Sequence, residues 1–279
     1  MLPQSQIEPF TTPMDVVWML GPSTKNNDWE LRHSMRSFHQ HYLAPEASPW
    51  IIGRIPSWID RDQVNCIPWP NPAKHKDGNL LNCALRLALE PALSDAFILC
   101  SDDHFLLRDS APQDFKWWHN GPINPRDAES KSGWRRQVGA TRKTLMDAGF
   151  TAYEFEGHIP YPIHKTWCAN ILRFPWWDGR NTVFSTILNC AGVPAARLDS
   201  ERIRGRIHNR GMSAEVVLRK FRENQFLTLN DGSEKNAVVR AQFKSRFGSP
   251  APWELDQPAY CEAFVSNIIH NQPDDSDSE

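Results

Sequence analysis

Short apolar runs bounded by glycine, proline and polar clusters alternate along this chain with stretches whose apolar positions recur at helical spacing. Residues 15–20 (DVVWML) read as a buried strand ending in Gly21-Pro22, and residues 28–42 as the next helix, with Asp28 as its N-cap. Strands follow at 50–54 and 64–67, the second stopped by Pro68-Trp69-Pro70. The clearest helix, 78–93, sets Leu81, Leu85, Ala88 and Leu89 on one face. Residues 97–100 form a strand whose apolar character resumes at 105–107. Beyond it the pattern predicts a helix over 133–149, a strand over 151–156 running into Gly157-His158-Ile159-Pro160, and helices over 181–191, 213–224 and 260–269. In the helix over 213–224, Val216, Val217 and Phe221 face inward. Strand, helix, strand, strand, helix, strand is the order of an open, mainly parallel α/β sheet, whose ligands collect at the carboxyl ends of the strands.

Candidate chemistry enters where AFILCSDDHFLL (96–107) is interrupted by Asp102, Asp103 and His104. Two adjacent carboxylates in a partly buried setting are costly unless a cation neutralises them, and carboxylate with imidazole suits a divalent ion. The three residues read as a metal site or, more plainly, as a polar turn between strands. His158 brings a second imidazole to a strand end, and His164 and Lys165 follow closely enough to compete for its role. The Gly21-Pro22 loop is placed to offer backbone N–H groups to phosphate. Lys74 and Lys76 precede a helix N-terminus, where an anion meets both cation and dipole. Arg32 and Arg36, one helical turn apart, could grip a diphosphate or decorate the surface.

Composition narrows the class. The 279 residues suit one large domain, and 40% hydrophobic with 23% charged residues is ordinary for a globular chain. Twelve tryptophans offer core packing or flat ligand platforms, and 22 prolines point to fixed loops. The six cysteines show no paired spacing, which argues against a zinc knuckle or a disulfide framework. With no basic leader and no apolar window of membrane-span length, a soluble, cytoplasmic protein is expected. The net charge of −2 conceals a basic segment, residues 202–246, with 11 Lys and Arg against 4 Asp and Glu, which could face a phosphate backbone, a nucleotide or solvent.

Three blocks in this order, DVVWMLGPSTKNNDWELRHSMRSF, FILCSDDHFLL and YEFEGHIPYPIHK, resemble the nucleotide-sugar transferase-like family of bacteriophages and bacteria, related to the Stealth capsular polysaccharide phosphotransferases. The likeness rests on an E-L-R-x-S-x-R-S segment (Glu30 to Ser37), a DXD-like (N/S)-D-D segment (Ser101 to Asp103), an E-x-H-x-P segment (Glu156 to Pro160) and a proline-rich FGSPAPWEL (247–255). Ser101 stands where asparagine is expected, and Gly157 replaces a larger residue.

The resemblance implies a GT-A glycosyltransferase: a mixed, mostly parallel sheet flanked by helices, a nucleotide-diphosphate sugar donor, most often a UDP-sugar, and Mn²⁺ or Mg²⁺. With local composition, which marks a polar, proline-punctuated arm (1–14) and an acidic disordered tail (269–279), the chain divides into these, a catalytic domain (15–200) and a helical basic part of that domain (201–268). The resemblance assigns Asp102 and Asp103 to metal and donor, and His158 as the distal metal ligand. Gly21, Pro22 and Arg32 are expected at the nucleotide, with Lys76 and Asn79 over the diphosphate or sugar. Glu156 and Asp103 are the candidate catalytic residues, Glu156 as general base.

A phage member could glycosylate a hydroxymethylated pyrimidine such as hydroxymethylcytosine in double-stranded DNA, in the host cytoplasm. Arg202, Arg204 and Arg206 would then face the acceptor, and Trp117, Trp118, Trp176 and Trp177 would wedge or stack. A surface polysaccharide acceptor, sugar-1-phosphate transfer, and non-catalytic nucleic-acid binding are the alternatives. No membrane span and no obligate protein partner are expected.

Overall fold

A computed structural model describes residues 10–22, 28–199, 202–230 and 232–255. β1 (Asp15–Leu20) is apolar after its first residue and buried on both faces, as a central parallel strand must be. α1 (Trp29–His41), β2 (Pro49–Gly53), β3 (Asn65–Pro68), α2 (Lys76–Ala88) and β4 (Ala96–Cys100) follow in the expected order. Then come β5 (His104–Leu106), β6 (Trp118–His119), α3 (Gly133–Asp147), β7 (Tyr161–His164), α4 (Lys165–Cys168) and α5 (Val183–Ala191). The last described elements are β8 (Ala196–Arg197), β9 (Arg204–Ile207), α6 (Ala214–Glu223), β10 (Phe226–Leu229) and α7 (Ala237–Phe247).

The main sheet has the order β3-β2-β1-β4-β7, parallel except for β7, so the fold is the mixed, mostly parallel α/β arrangement expected from the sequence. A second sheet, β5-β10-β9, begins three residues after β4 ends. Its far face carries Phe105, Leu227, Leu229 and Ile207 into a core shared with Val217 and Phe221 of α6 and Phe243 and Phe247 of α7. Its near face carries Leu106 and Phe226 against the main core, and Arg204 and Arg206 alternate onto that face with them.

The E-L-R-x-S-x-R-S segment, Glu30 to Ser37, builds the scaffold. The Ser34 hydroxyl donates to the His104 carbonyl, and the Leu106 N–H donates to Ser37 Oγ at 3.0 Å, so α1 fixes β5. Arg32 and Arg36 reach instead to Glu254 in the proline-rich segment. These contacts hold the Asp-Asp loop between two anchored strands.

Several elements differ from expectation. Asp28 does not cap α1; it adopts a left-handed backbone (φ 57°) and its carboxylate pairs with Arg54 and accepts from Trp58 Nε1. α2 begins at Lys76 and stops at Ala88, where the expected helix ran on to 93. Residues 151–156 form no named strand. Their backbone is taken up by residues 120–123 and by the Asn189 and Ser185 side chains of α5, and the strand forms later, as β7. α7 is not among the expected helices; its buried residues Val239, Phe243 and Phe247 share one face, but Ala237, Val238 and Ala241 lie off it and blur the pattern. Phe10 packs on Trp117 and Trp167, so the end of the supposed arm joins the core. The expected helix at 260–269 and the acidic tail lie outside the described residues. Among the described residues, no helix is long and apolar enough to cross a membrane.

Candidate active site

The register of the β4–β7 pair creates the site. Leu99 lies opposite Tyr161 in an antiparallel ladder, so the residues that leave β4 and those that enter β7 meet at one sheet edge. Asp103 and His158, 55 residues apart in the chain, come together there: His158 Nδ1 lies 3.5 Å from Asp103 Oδ2. His164 pairs with Ala96 at the opposite edge, and its Nδ1 accepts from the Thr166 N–H, so it takes no part.

Asp103 also accepts a hydrogen bond from the Thr228 hydroxyl at 2.8 Å. Burial alone would raise its pKa, but the His158 contact, the nearby His104 and the Thr228 bond outweigh it and hold the carboxyl well below the usual range. Asp102 is exposed at the rim. The protein packed around its carboxyl, then the Asp103 charge, push it up to about 6, while Lys76 opposes the shift. His158 holds a left-handed backbone (φ 49°), uncommon for a residue with a Cβ, which marks its pose as imposed by its surroundings. The preceding Gly157 is required by close packing, since a Cβ there would meet the Tyr161 hydroxyl at 2.8 Å.

Asp103, His104 and His158 form the one metal-competent cluster among the described residues. The hydrogen bonds separate the two imidazoles. The Ser101 N–H donates to His104 Nδ1 at 3.2 Å, so the proton of the neutral ring sits on Nε2, the nitrogen 3.8 Å from Asp103. Burial keeps that ring neutral, lowering its pKa to about 4. While the Ser101 bond stands, His104 has no lone pair for a cation, and the cation-facing set is Asp103 with His158. An ionised carboxylate beside an imidazole fits a divalent ion such as Mn²⁺.

Beside this pair opens a polar cleft of about 640 Å³. Glu156, His158, Arg204 and Arg206 line it, with Asn120, Glu154 and the first turn of α3. Glu156 accepts from the Ser185 N–H (2.9 Å) and hydroxyl (3.0 Å) at the start of α5; burial nevertheless pushes its pKa up to about 7, with Asp77 adding to the shift. Arg204 donates to the Gly157 carbonyl and Arg206 to Asn230 Oδ1, both uncharged acceptors, and burial lowers both guanidinium pKa values. Among the described residues neither is ion-paired.

Other expected residues lie elsewhere or are otherwise engaged. Arg32 binds Glu254 and stacks 4.0 Å over Trp58. The Asn79 amide is spent on both backbone groups of Ala73. Trp117 is buried in the core and donates to the Pro162 carbonyl. Trp118 packs against the core, and Arg202 does not line the cleft. Gly21 and Pro22 follow the last residue of β1, and Lys76 opens α2 with its charge felt at Asp102 and His104.

The sequence reading missed Thr228, Glu154, Asn120, Arg135 and Trp134. Thr228 was detectable in principle as the single polar residue of the buried strand Phe226–Leu229. The others sit on loops and a helix start, whose tertiary placement leaves no local signal.

No protein family matches the chain, and no curated protein does. Among solved structures, the chain is similar to the galactosyltransferase LgtC in complex with donor and acceptor sugar analogs, at 14% identity and a TM-score of 0.47, over 86% of this chain and 98% of that one. It is also similar to an active-site mutant of LgtC, at 12% identity and a TM-score of 0.46 over the same shares. The apo structure of the bifunctional glycosyltransferase WbbM gives 11% identity and a TM-score of 0.46, over 89% of this chain and 52% of that one.

Proposed function

We propose that the cleft is the active centre of a GT-A-type glycosyltransferase that moves a sugar from a nucleotide-diphosphate donor to an acceptor hydroxyl. One observation carries this reading: His158, paired with Asp103 at the carboxyl edge of the sheet, lines a cleft with two partly buried arginines that lack a carboxylate partner among the described residues. Arginines so placed are poised for a multiply charged oxyanion, because a guanidinium fork matches phosphate oxygens.

In the proposed mechanism Arg204 and Arg206 bind the diphosphate and stabilise the charge that builds as the glycosidic bond breaks. Glu156, anchored by Ser185, takes the proton from the acceptor hydroxyl. Asp103 and His158 would hold the divalent ion, Thr228 keeps the Asp103 carboxylate in place, and His104 and Ser101 shape the loop behind it. When bound, the ion supplies Lewis-acid stabilisation of the leaving diphosphate.

Transfer to a hydroxymethylated pyrimidine in DNA gains no support from the site. Trp117 is committed to the core, and of the three arginines expected at the acceptor only Arg204 and Arg206 reach the cleft. Sugar-1-phosphate transfer, the alternative that the resemblance to the Stealth proteins raises, differs in its product. The deciding experiment incubates the protein and Mn²⁺ with a panel of nucleotide-sugars and identifies the released nucleotide. Nucleoside diphosphate supports the proposal; monophosphate, or no turnover of any donor, counts against it. Nucleoside mass spectrometry of hydroxymethylcytosine duplexes included in the panel tests the DNA acceptor separately.

A further inference from the structure

Ten of the twelve tryptophans pack into the apolar clusters; Trp134 and Trp177 belong to none of them. Both are exposed, Trp134 by 38% and Trp177 by 59%, and only Trp134 lines the cleft. It stands in the first turn of α3, whose start is fixed by the Ser132 side chain accepting from the Arg135 N–H. An indole left more than a third exposed in a polar cleft can take a ligand that has an apolar face of its own.

The polar groups around it are already oriented. The two Glu154 carboxylate oxygens are bound separately, one by Asn120 Nδ2 at 3.1 Å and the other by Arg135 Nη1 at 3.2 Å. Arg135 also lies 3.6 Å from Asp127. Asn124 uses its side-chain oxygen on the Arg126 N–H. This leaves planar amide, carboxylate and guanidinium edges, held by one another, around one aromatic face. Such a set recognises a pyranose: the ring's C–H face stacks on indole while its equatorial hydroxyls donate to carboxylate and accept from amide and guanidinium.

We infer that Trp134, with Asn120, Glu154 and Arg135, forms the acceptor subsite, and that the acceptor is a saccharide whose sugar ring stacks on Trp134. This rests on the transferase reading for the word acceptor, but the carbohydrate site itself can be tested without turnover. Glu156, the proposed base, and His158 line the same cleft as Trp134, as the subsite's place next to the reacting centre requires.

The test is saturation-transfer difference NMR of the full chain, without donor, against lactose, methyl β-glucopyranoside and a hydroxymethylcytosine duplex. At least one glycoside binds the unmodified protein; Trp134→Ala weakens it about tenfold or more, while Trp134→Phe, which keeps a ring, and Trp177→Ala, which removes the exposed tryptophan outside the cleft, stay within about threefold. Binding of no glycoside, binding indifferent to Trp134→Ala, or dependence on Trp134 confined to the duplex would each overturn the inference. Nucleoside diphosphate release by the unmodified protein, with Mn²⁺ and the nucleotide-sugar panel, is measured in parallel. If glycoside binding depends on Trp134 but no donor is turned over, the carbohydrate site stands and the transferase reading falls.

Discussion

Glu254 is the keystone of the join between α1 and the segment that follows α7, and its replacement by glutamine makes a quantitative test of the architecture. Its carboxylate accepts from Arg36 Nε (2.5 Å), Arg36 Nη2 (2.6 Å) and Arg32 Nη1 (3.0 Å), and its side chain is 4% exposed against 14% and 15% for the arginines. The Ala251 N–H adds a fourth bond at 3.1 Å. Burial alone would raise its pKa, but the Arg36 and Arg32 contacts dominate and hold it below the ordinary glutamate value. Breaking a buried ion pair from one side typically costs about 3–5 kcal/mol; the residual hydration of the arginines places Glu254→Gln near the lower end, about 3 kcal/mol. With about 2 cal/mol/K of unfolding entropy per residue over a chain of this size, that corresponds to a fall in Tm of about 5 °C. Because the folded pKa is depressed, the contribution is full above pH 4.5 and is lost as pH falls through the folded value. Calorimetry of the two proteins at neutral and acid pH is the assay, with the gap narrowing at low pH. A loss below about 1 kcal/mol, or one that does not shrink on acidification, would refute the reasoning.

Three further outcomes are expected. His33, packed between Trp29 and Phe243 and kept neutral by burial with a pKa lowered to about 4, refuses a proton that the unfolded chain accepts below 6.5. Its contribution is complete above pH 6.5 and declines to about pH 4, so urea titrations should show about 3 kcal/mol of acid destabilisation across that window that His33→Phe removes. Gly53→Ala should destabilise by about 3 kcal/mol or more in the same assay, because φ is +108° and an added Cβ would stand 2.1 Å from the Leu20 carbonyl oxygen. Arg206→Ala should weaken competitive inhibition by a nucleoside diphosphate about tenfold or more, with Arg206→Lys intermediate, leaving thermal stability nearly unchanged.

What the sequence could and could not convey follows from how far each interaction reaches. β1, β2 and β4 are legible because a strand buried on both faces must be continuously apolar, and no distant partner is needed to see it. Asp103 was conspicuous for the opposite reason, as charge interrupting such a run. Arg32 and Arg36 misled because their partner, Glu254, lies more than 200 residues away, and a pair one turn apart on a helix looks the same whether it faces phosphate or carboxylate. Trp117 misled because an indole has the same local signature in a core as in a groove. Residues 151–156 carry strand-like composition, but Asn189 and Ser185 of α5 claim the backbone groups a ladder would need. Arg204 and Arg206 are expected at the acceptor together with Arg202 because all three lie in the basic segment; that only the first two reach the cleft comes from strand alternation around Gly205, whose added Cβ would press on Asn224 and Lys220.

The most direct measurement of the central claim is calorimetric titration of uridine diphosphate in the presence and absence of Mn²⁺, using the unmodified protein, Asp103→Asn and His158→Ala. The account predicts Mn²⁺-dependent binding that falls about a hundredfold in both variants while their unfolding temperatures hold. Binding that is indifferent to Mn²⁺, or that survives both substitutions, would contradict it.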